Sequence, residues 1–213
     1  MRSVLGALAL QAGLAGVIWG QEAPAAASMP RTSINAYVGL YAPVLPLVAI
    51  QNGRDASIAL ESAPSVRFEL SYQFSSKLGV YGGLTHARSQ VNHSTAMVLE
   101  GPARAESPVG VFTPTLGFVW TPLGSSRVGP VVRLGGGVKF YDFSLVEVKN
   151  GVQDLAGEFG IGVTGGTGSV RLLAEARWMP SQFDPAYLPV RVAESKKQPQ
   201  NDWVFQLGAR FGL

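Results

Sequence analysis

Cysteine is absent from all 213 residues. That excludes disulfides, thiolate metal sites, a cysteine nucleophile and a lipid-modified N-terminal cysteine. Histidine is nearly absent: His86 and His93 are the two in the chain, a thin inventory for a metal centre. Charge is scarce as well. Asp, Glu, Lys and Arg make up 15% of the residues, against a usual share of about a quarter. A net charge of +3 over this length is too mild to imply nucleic acid, and no nucleic-acid partner is expected. Low charge does not mean disorder here, because 46% of the residues are hydrophobic. After the first thirty residues there is no long apolar run, so no helical membrane span is expected there.

The opening residues read as a targeting segment. Arg2 is followed by the uncharged stretch Val4 to Trp19, then by Pro24 and Ala25-Ala26-Ala27. A basic start, an apolar middle and small residues at a cleavage point make a secretory signal. A spanning helix needs roughly 20 apolar residues, and Gly6, Gly13 and Gly16 interrupt this shorter run. Residues 1–27 are therefore expected to be a signal peptide, removed on export, and 28–213 a single domain.

Beyond Ser33 the chain alternates with a period of two. In Val66-Arg67-Phe68-Glu69-Leu70-Ser71-Tyr72-Gln73-Phe74 every even position is apolar or aromatic and every odd one polar. Strand side chains point alternately to opposite faces, so such a stretch has one greasy and one polar face. The frame recurs from Val170 to Trp178 and from Trp203 to Leu213. Eight strands are expected near 33–42, 65–74, 77–87, 110–121, 128–142, 154–164, 168–179 and 203–213. Most are about ten residues long, the length a tilted strand needs to cross a bilayer. Short connections at 75–76, 122–126 and 165–167 alternate with longer ones near 43–64, 88–109, 143–153 and 180–202, as in barrels with tight periplasmic turns and longer outer loops. Asn52-Gly53, between Leu47 to Ile50 and Ala56 to Leu60, predicts a hairpin rising above the barrel.

Alternation does not say which face points out, since a soluble lipocalin-like barrel also alternates. Three features favour greasy-out. No charge falls on the greasy frame, as expected where a lipid-facing charge costs roughly 2–4 kcal/mol. The opposite frame carries Arg67, Glu69, Arg133, Lys139, Glu158, Arg171, Glu175, Arg177 and Arg210, interleaved with glycines such as Gly83, Gly117, Gly135, Gly160 and Gly208. Glycine weakens strands, but in an eight-strand lumen barely wide enough for its own side chains it leaves room for Arg and Glu from the other wall. Both signs are present, as a buried charge network requires. Finally, aromatics cluster near strand ends: Phe74, Trp120 and Phe211 at the short-turn side, Phe112, Phe140, Trp178 and Trp203 at the long-loop side. These are expected to form aromatic girdles at the two membrane interfaces. Pro114 and Pro130 sit awkwardly within strands of a closed sheet; a bulge is expected to absorb them.

The expected fold is thus all-β, an eight-stranded antiparallel up-and-down transmembrane β-barrel. Taken together, leader, strands, loop alternation and terminal strand resemble the small eight-stranded outer-membrane proteins of the OmpA-barrel and OmpX type. The resemblance implies a bacterial outer-membrane location, contact with outer-membrane lipids and lipopolysaccharide, and recognition of the last strand by the barrel-assembly machinery. That strand keeps the alternation through Trp203, Phe205, Leu207, Ala209 and Phe211 but ends on Leu213, where the class commonly has Phe.

No catalytic constellation stands out. Asn92-His93-Ser94 faintly resembles the His and Ser of outer-membrane lipid hydrolases, but a Ser nucleophile needs a base within hydrogen-bond reach and a third orienting group, which neighbours in one loop seldom supply. His86 reads as a rim residue. Gly135-Gly136-Gly137 precedes no helix and is not a phosphate loop. Lys196-Lys197 is a basic spot in the last long loop. No cofactor is expected. A monomeric, non-enzymatic surface barrel, presenting loops for contact or adhesion and contributing to envelope integrity, is the leading reading; a narrow solute channel and a lipid-modifying enzyme are the alternatives.

Overall fold

In the computed structural model, which describes residues 31–51, 55–93, 107–124, 126–143, 152–184 and 197–213, the alternating segments form one antiparallel sheet. Its strands are β1 (Thr32–Pro43), β2 (Val48–Gln51), β3 (Asp55–Leu60), β4 (Ala63–Gln73), β5 (Leu78–His93), β6 (Ser107–Trp120), β7 (Val128–Phe143), β8 (Val152–Thr167), β9 (Val170–Phe183) and β10 (Gln198–Gly212). Hydrogen bonding runs β5-β4-β1-β10-β9-β8-β7-β6, and β6 returns to β5. The ladder therefore closes into an eight-stranded up-and-down barrel with no free edge of its own. β2 and β3 pair as a hairpin, with Gln51 opposite Asp55, and β3 adds to the top of β5. The hairpin expected at Asn52-Gly53 is present in its strands; its turn lies outside the described residues, as do the leader and most of the long connections.

Sidedness follows the two-residue period. Phe68, Leu70, Leu116, Phe118, Leu134, Ile161, Leu172, Phe205 and Leu207 face outward and are exposed, whereas Arg67, Glu69, Arg133, Glu158, Glu175 and Arg177 face inward and are buried. The outward frame is the greasy one, which a water-soluble barrel would hide.

Two prolines are accommodated differently from expectation. Between β6 and β7 the register is the same on both sides of Pro114, Phe112 facing Phe140 and Thr115 facing Gly137, so no residue bulges out. Instead the ladder omits the intervening pairs, because proline has no N–H to donate. Pro130 pairs with Val163 of β8 and lies past the last β6–β7 pair, Trp120 with Val132, where that neighbour asks nothing of its nitrogen. A second gap in the ladder flanks Pro180, between the pairs Ala156–Ser181 and Phe159–Trp178.

The strands are also longer than expected, almost entirely at the long-loop end. β5 continues to His93 and β9 to Phe183. In these extensions the pattern inverts. Outward positions become polar and exposed, as at Arg88, Gln90, Asp142 and Gln182, while inward positions Ala87, Val91, Val109, Tyr141, Phe143, Met179 and Phe183 become apolar and buried. β5, β7 and β9 thus change hydrophobic phase partway along. The lower part is built like a membrane barrel and the upper part like a soluble one.

Candidate functional site

The interior has three levels, and the middle one is ionic. Arg67, Arg133 and Arg177 meet Glu69, Glu158 and Glu175 with side chains that are at most 1% exposed. Arg67 of β4 crosses the lumen to Glu158 of β8, Nη1 to Oε2 at 3.2 Å. Glu69 receives Arg67 Nη2 at 3.2 Å and Arg177 Nη2 at 3.1 Å. Arg133 Nη1 lies 2.7 Å from Glu69 Oε1, off a hydrogen-bonding line. Glu175 takes Arg133 Nε at 3.1 Å and Arg177 Nη2 at 2.6 Å, and Arg177 also pairs with Glu158. Neutral groups complete the set. Asn35 Nδ2 donates to Glu69 at 2.7 Å, the Tyr81 hydroxyl to Glu158 at 2.9 Å, and Arg67 Nη1 to Thr85 Oγ1 at 2.8 Å. The guanidiniums lie over the Tyr37 and Tyr81 rings at 5.1–5.8 Å, the separation at which the ring quadrupole attracts a cation.

Close approach at this level leaves little room for a side chain at several glycines, Gly83 and Gly208 among them. A Cβ on Gly83 would lie 2.6 Å from Arg67 Nη2, and one on Gly208 would lie 2.4 Å from the Tyr37 ring. These two conflicts are with residues of adjoining strands, whereas Gly135 of β7 makes way for the Tyr81 hydroxyl of β5, 2.5 Å from where its Cβ would lie.

Above the ionic level, the expected network divides. Lys139 does not join the glutamates; its Nζ pairs with Asp202 and donates to Ser181 Oγ at 2.9 Å, while the Tyr41 hydroxyl donates to Asp202 at 2.7 Å. An apolar cluster closes over this group, with Tyr41, Leu47, Val109, Tyr141, Phe143 and Phe183 among its members. The Tyr141 and Phe183 rings meet edge to face at 5.3 Å. Leu47 comes from beyond the end of β1 and is fully buried; Gln200 Nε2 holds the backbone behind it through Pro46 O at 2.7 Å. Below the ionic level lie Arg171 and Arg210. Arg171 donates to the turn carbonyls of Ser126 and Gly166, and Arg210 Nε to Asn35 Oδ1 at 3.3 Å.

Outside, the aromatic residues fall on the lipid-facing frame at two heights. His86, Phe112 and Phe140 are register neighbours across β5, β6 and β7, and Trp178 faces Trp203 across β9 and β10. Phe74, Trp120 and Phe211 are exposed at the other end. Eight residues of β6 separate Trp120 from Phe112, roughly 26 Å along the strand. At the tilt usual for such barrels that is roughly 20 Å of height, close to the apolar band of an outer-membrane barrel. His86 stacks on Phe112 with centroids 4.3 Å apart; it belongs to this outer row. His93 ends β5, and Ser94 lies outside the described residues.

Sequence reading missed Tyr37, Tyr81, Asn35, Asp202 and the whole apolar cap. The signal for the cap was present: after His86, Phe140 and Trp178 the apolar residues move to odd positions. Stopping each strand near ten residues hid it.

No family model matches the sequence, and no curated protein matches it. Solved structures do. Neisserial surface protein A superposes with a TM-score of 0.59 at 11% identity, over 88% of this chain and 100% of that one. The chain has the fold of the small eight-stranded outer-membrane barrels. The outer membrane protein AlkL, solved in DMPC lipid bilayers, gives 0.55 at 19% identity over 91% and 96% of the two chains. OprG of Pseudomonas aeruginosa gives 0.52 at 16% over 86% and 96%. Such a fold, with an apolar exterior between two aromatic rows, belongs in the bacterial outer membrane.

Proposed function

We propose that this chain is a non-enzymatic, monomeric surface barrel: a closed post that holds the loops near 43–64, 88–109, 143–153 and 180–202 outside the cell for contact or adhesion. The observation that carries this reading is the apolar cap. Leu47, Val109, Tyr141, Phe143 and Phe183 are at most 1% exposed inside walls whose outer face has already turned polar. A dry core at that height adds nothing to membrane insertion. It does stiffen the rim on which the loops are mounted, and it stands, with the ionic level, across the path a solute channel would need. Ring closure leaves no barrel edge for a second copy. Lipids of the two leaflets, lipopolysaccharide among them, would contact the aromatic rows. The assembly machinery would read the outward row Trp203, Phe205, Leu207, Phe211 and Leu213 of β10.

Loop replacement tests this reading. Cells expressing the chain with residues 94–106 and 185–196, which lie between the wall strands, each cut to a short Gly-Ser turn should keep a folded, protease-resistant barrel yet lose attachment to surfaces that cells with the whole chain colonise. Unchanged attachment with all the long loops shortened would remove the loops from the account. Loss of solute uptake instead would favour the channel.

A further inference from the structure

Among the described residues the lumen holds one buried lysine, Lys139; its other buried cations, Arg67, Arg133, Arg171, Arg177 and Arg210, are arginines. The difference is chemical. A guanidinium keeps its proton, whereas an amine can give one up and act as a nucleophile. Lys139 of β7 directs its Nζ at Asp202 of β10, and neither side chain is more than 1% exposed. β8 and β9 stand between those two strands in the wall, so the pair reaches across the lumen. Two further groups touch it. The Tyr41 hydroxyl donates to Asp202 Oδ2, the oxygen that Nζ contacts, at 2.7 Å, and Nζ also donates to Ser181 Oγ at 2.9 Å. Asp202 Oδ1 is buried with no hydrogen-bond partner. Leu47, Tyr141, Phe143 and Phe183 of the apolar cap close over the group.

We propose that Lys139 and Asp202 become joined in the folded barrel by an isopeptide bond, formed by the fold itself. Proton transfer from Nζ to Oδ2 turns the ion pair into a neutral amine and a neutral acid, removing two charges from a dry site where both are costly. Attack needs the reacting atoms about 3–3.5 Å apart, and a nitrogen in contact with Oδ2 is within that range of Cγ. The Nζ–Cγ bond forms and the Cγ–Oδ2 bond breaks. Of the three ammonium protons one stays on the amide nitrogen and two leave on Oδ2, so the by-product is one water and no oxidant is needed. Tyr41 donates to the departing oxygen, Ser181 orients the amine, and Oδ1 becomes the amide oxygen. The cap excludes the water that hydrolysis would require. Asp154, register partner of Lys139 on β8, is the competing carboxyl; its ion pair is with Lys197 at 4.0 Å, while Nζ is held on Asp202. The bond would tie β7 to β10 beneath the cap and restrict the unfolded chain as a disulfide does, in a sequence without cysteine. This inference does not depend on what the outer loops do.

The test is mass spectrometry of the chain extracted from outer membranes, fully unfolded and then cut with trypsin. Cleavage after Arg133, Lys149, Lys197 and Arg210 bounds the two segments of interest. The expected product is a branched peptide joining residues 134–149 to residues 198–210, uncut at Lys139 and lighter by one water than its two parts. Lys139→Arg keeps the positive charge but should not condense. Its intact mass, corrected for the substitution, should exceed that of the parent by one water, and its 198–210 peptide should run free. The parent chain decides the matter by itself should Lys139→Arg not fold. A parent chain cut after Lys139, with the 198–210 peptide recovered free, overturns the proposal. So does a branch from Lys139 to Asp154 in the peptide 150–171.

Discussion

Glu158 accepts from Arg67, Arg177 and the Tyr81 hydroxyl, and each of those donors is buried. Removing one member of a buried ionic group leaves the others uncompensated, which typically costs about 3–5 kcal/mol. Glu158→Gln should therefore lower the unfolding free energy in detergent by that order, read as a lower urea midpoint, with Arg67→Gln alike. Lys197 is the contrast. It lies 4.0 Å from Asp154, but its side chain is 55% exposed, so Lys197→Ala should change stability by about 0–1 kcal/mol. A Glu158→Gln barrel as stable as the parent would show the network to be incidental. At this scale the sequence was informative about side and silent about partners. The inward face of Arg67 or Glu175 follows from parity alone. Which carboxylate a guanidinium reaches depends on barrel shear and on tyrosines such as Tyr37 and Tyr81, which read as apolar residues out of frame.

β5 shows what a single strand has to satisfy. From Leu78 to Leu84 its outward side is apolar; at Arg88 and Gln90 it is polar, and Ala87 and Val91 have moved inside. The switch marks where hydrocarbon ends. A charge placed below it should be costly and one placed above it should not. Phe68→Arg, on the lipid-facing side of β4 at mid-height, is expected to cost about 2–4 kcal/mol, read as a loss of folded fraction in lipid vesicles. Gln90→Arg is expected to be close to neutral, as exposed substitutions usually are. Equal effects would mean that the polar rim is also lipid-covered. The turn-side end of β4 was legible because Ser75-Ser76 announces it; Gly165-Gly166-Thr167, expected as a turn, instead continues β8, and the chain reverses at Gly168-Ser169. The loop-side ends were not, since an inverted pattern resembles the end of a strand when read with one frame.

The whole molecule is an asymmetric post, with tight turns at one end and a capped rim carrying the long connections at the other. An even number of wall strands puts the ends of β1 and β10 on the turn side, and bacterial barrels keep that side in the periplasm. Trypsin added to intact cells should therefore cut at exposed Lys197 and spare Arg127, which is exposed at the other end. Cleavage at Arg127 with Lys197 untouched would invert the orientation. Closure of the sheet and the count of eight were readable from strand and turn spacing. The filling of the lumen was not, because only assembly brings Leu47 and Phe183 together over Lys139 and Asp202.

We propose that the lumen is closed twice, by the ionic level and by the apolar cap, and that the chain acts through what it holds outside. Single-channel recording of the purified barrel in a planar bilayer with concentrated KCl on both sides tests it most directly. A closed lumen predicts a silent membrane under steady voltage, for the parent chain and for Lys197→Ala alike. Reproducible unitary current steps from the parent chain, altered in size by Phe143→Ala or Arg133→Gln, would contradict it and make the barrel a channel.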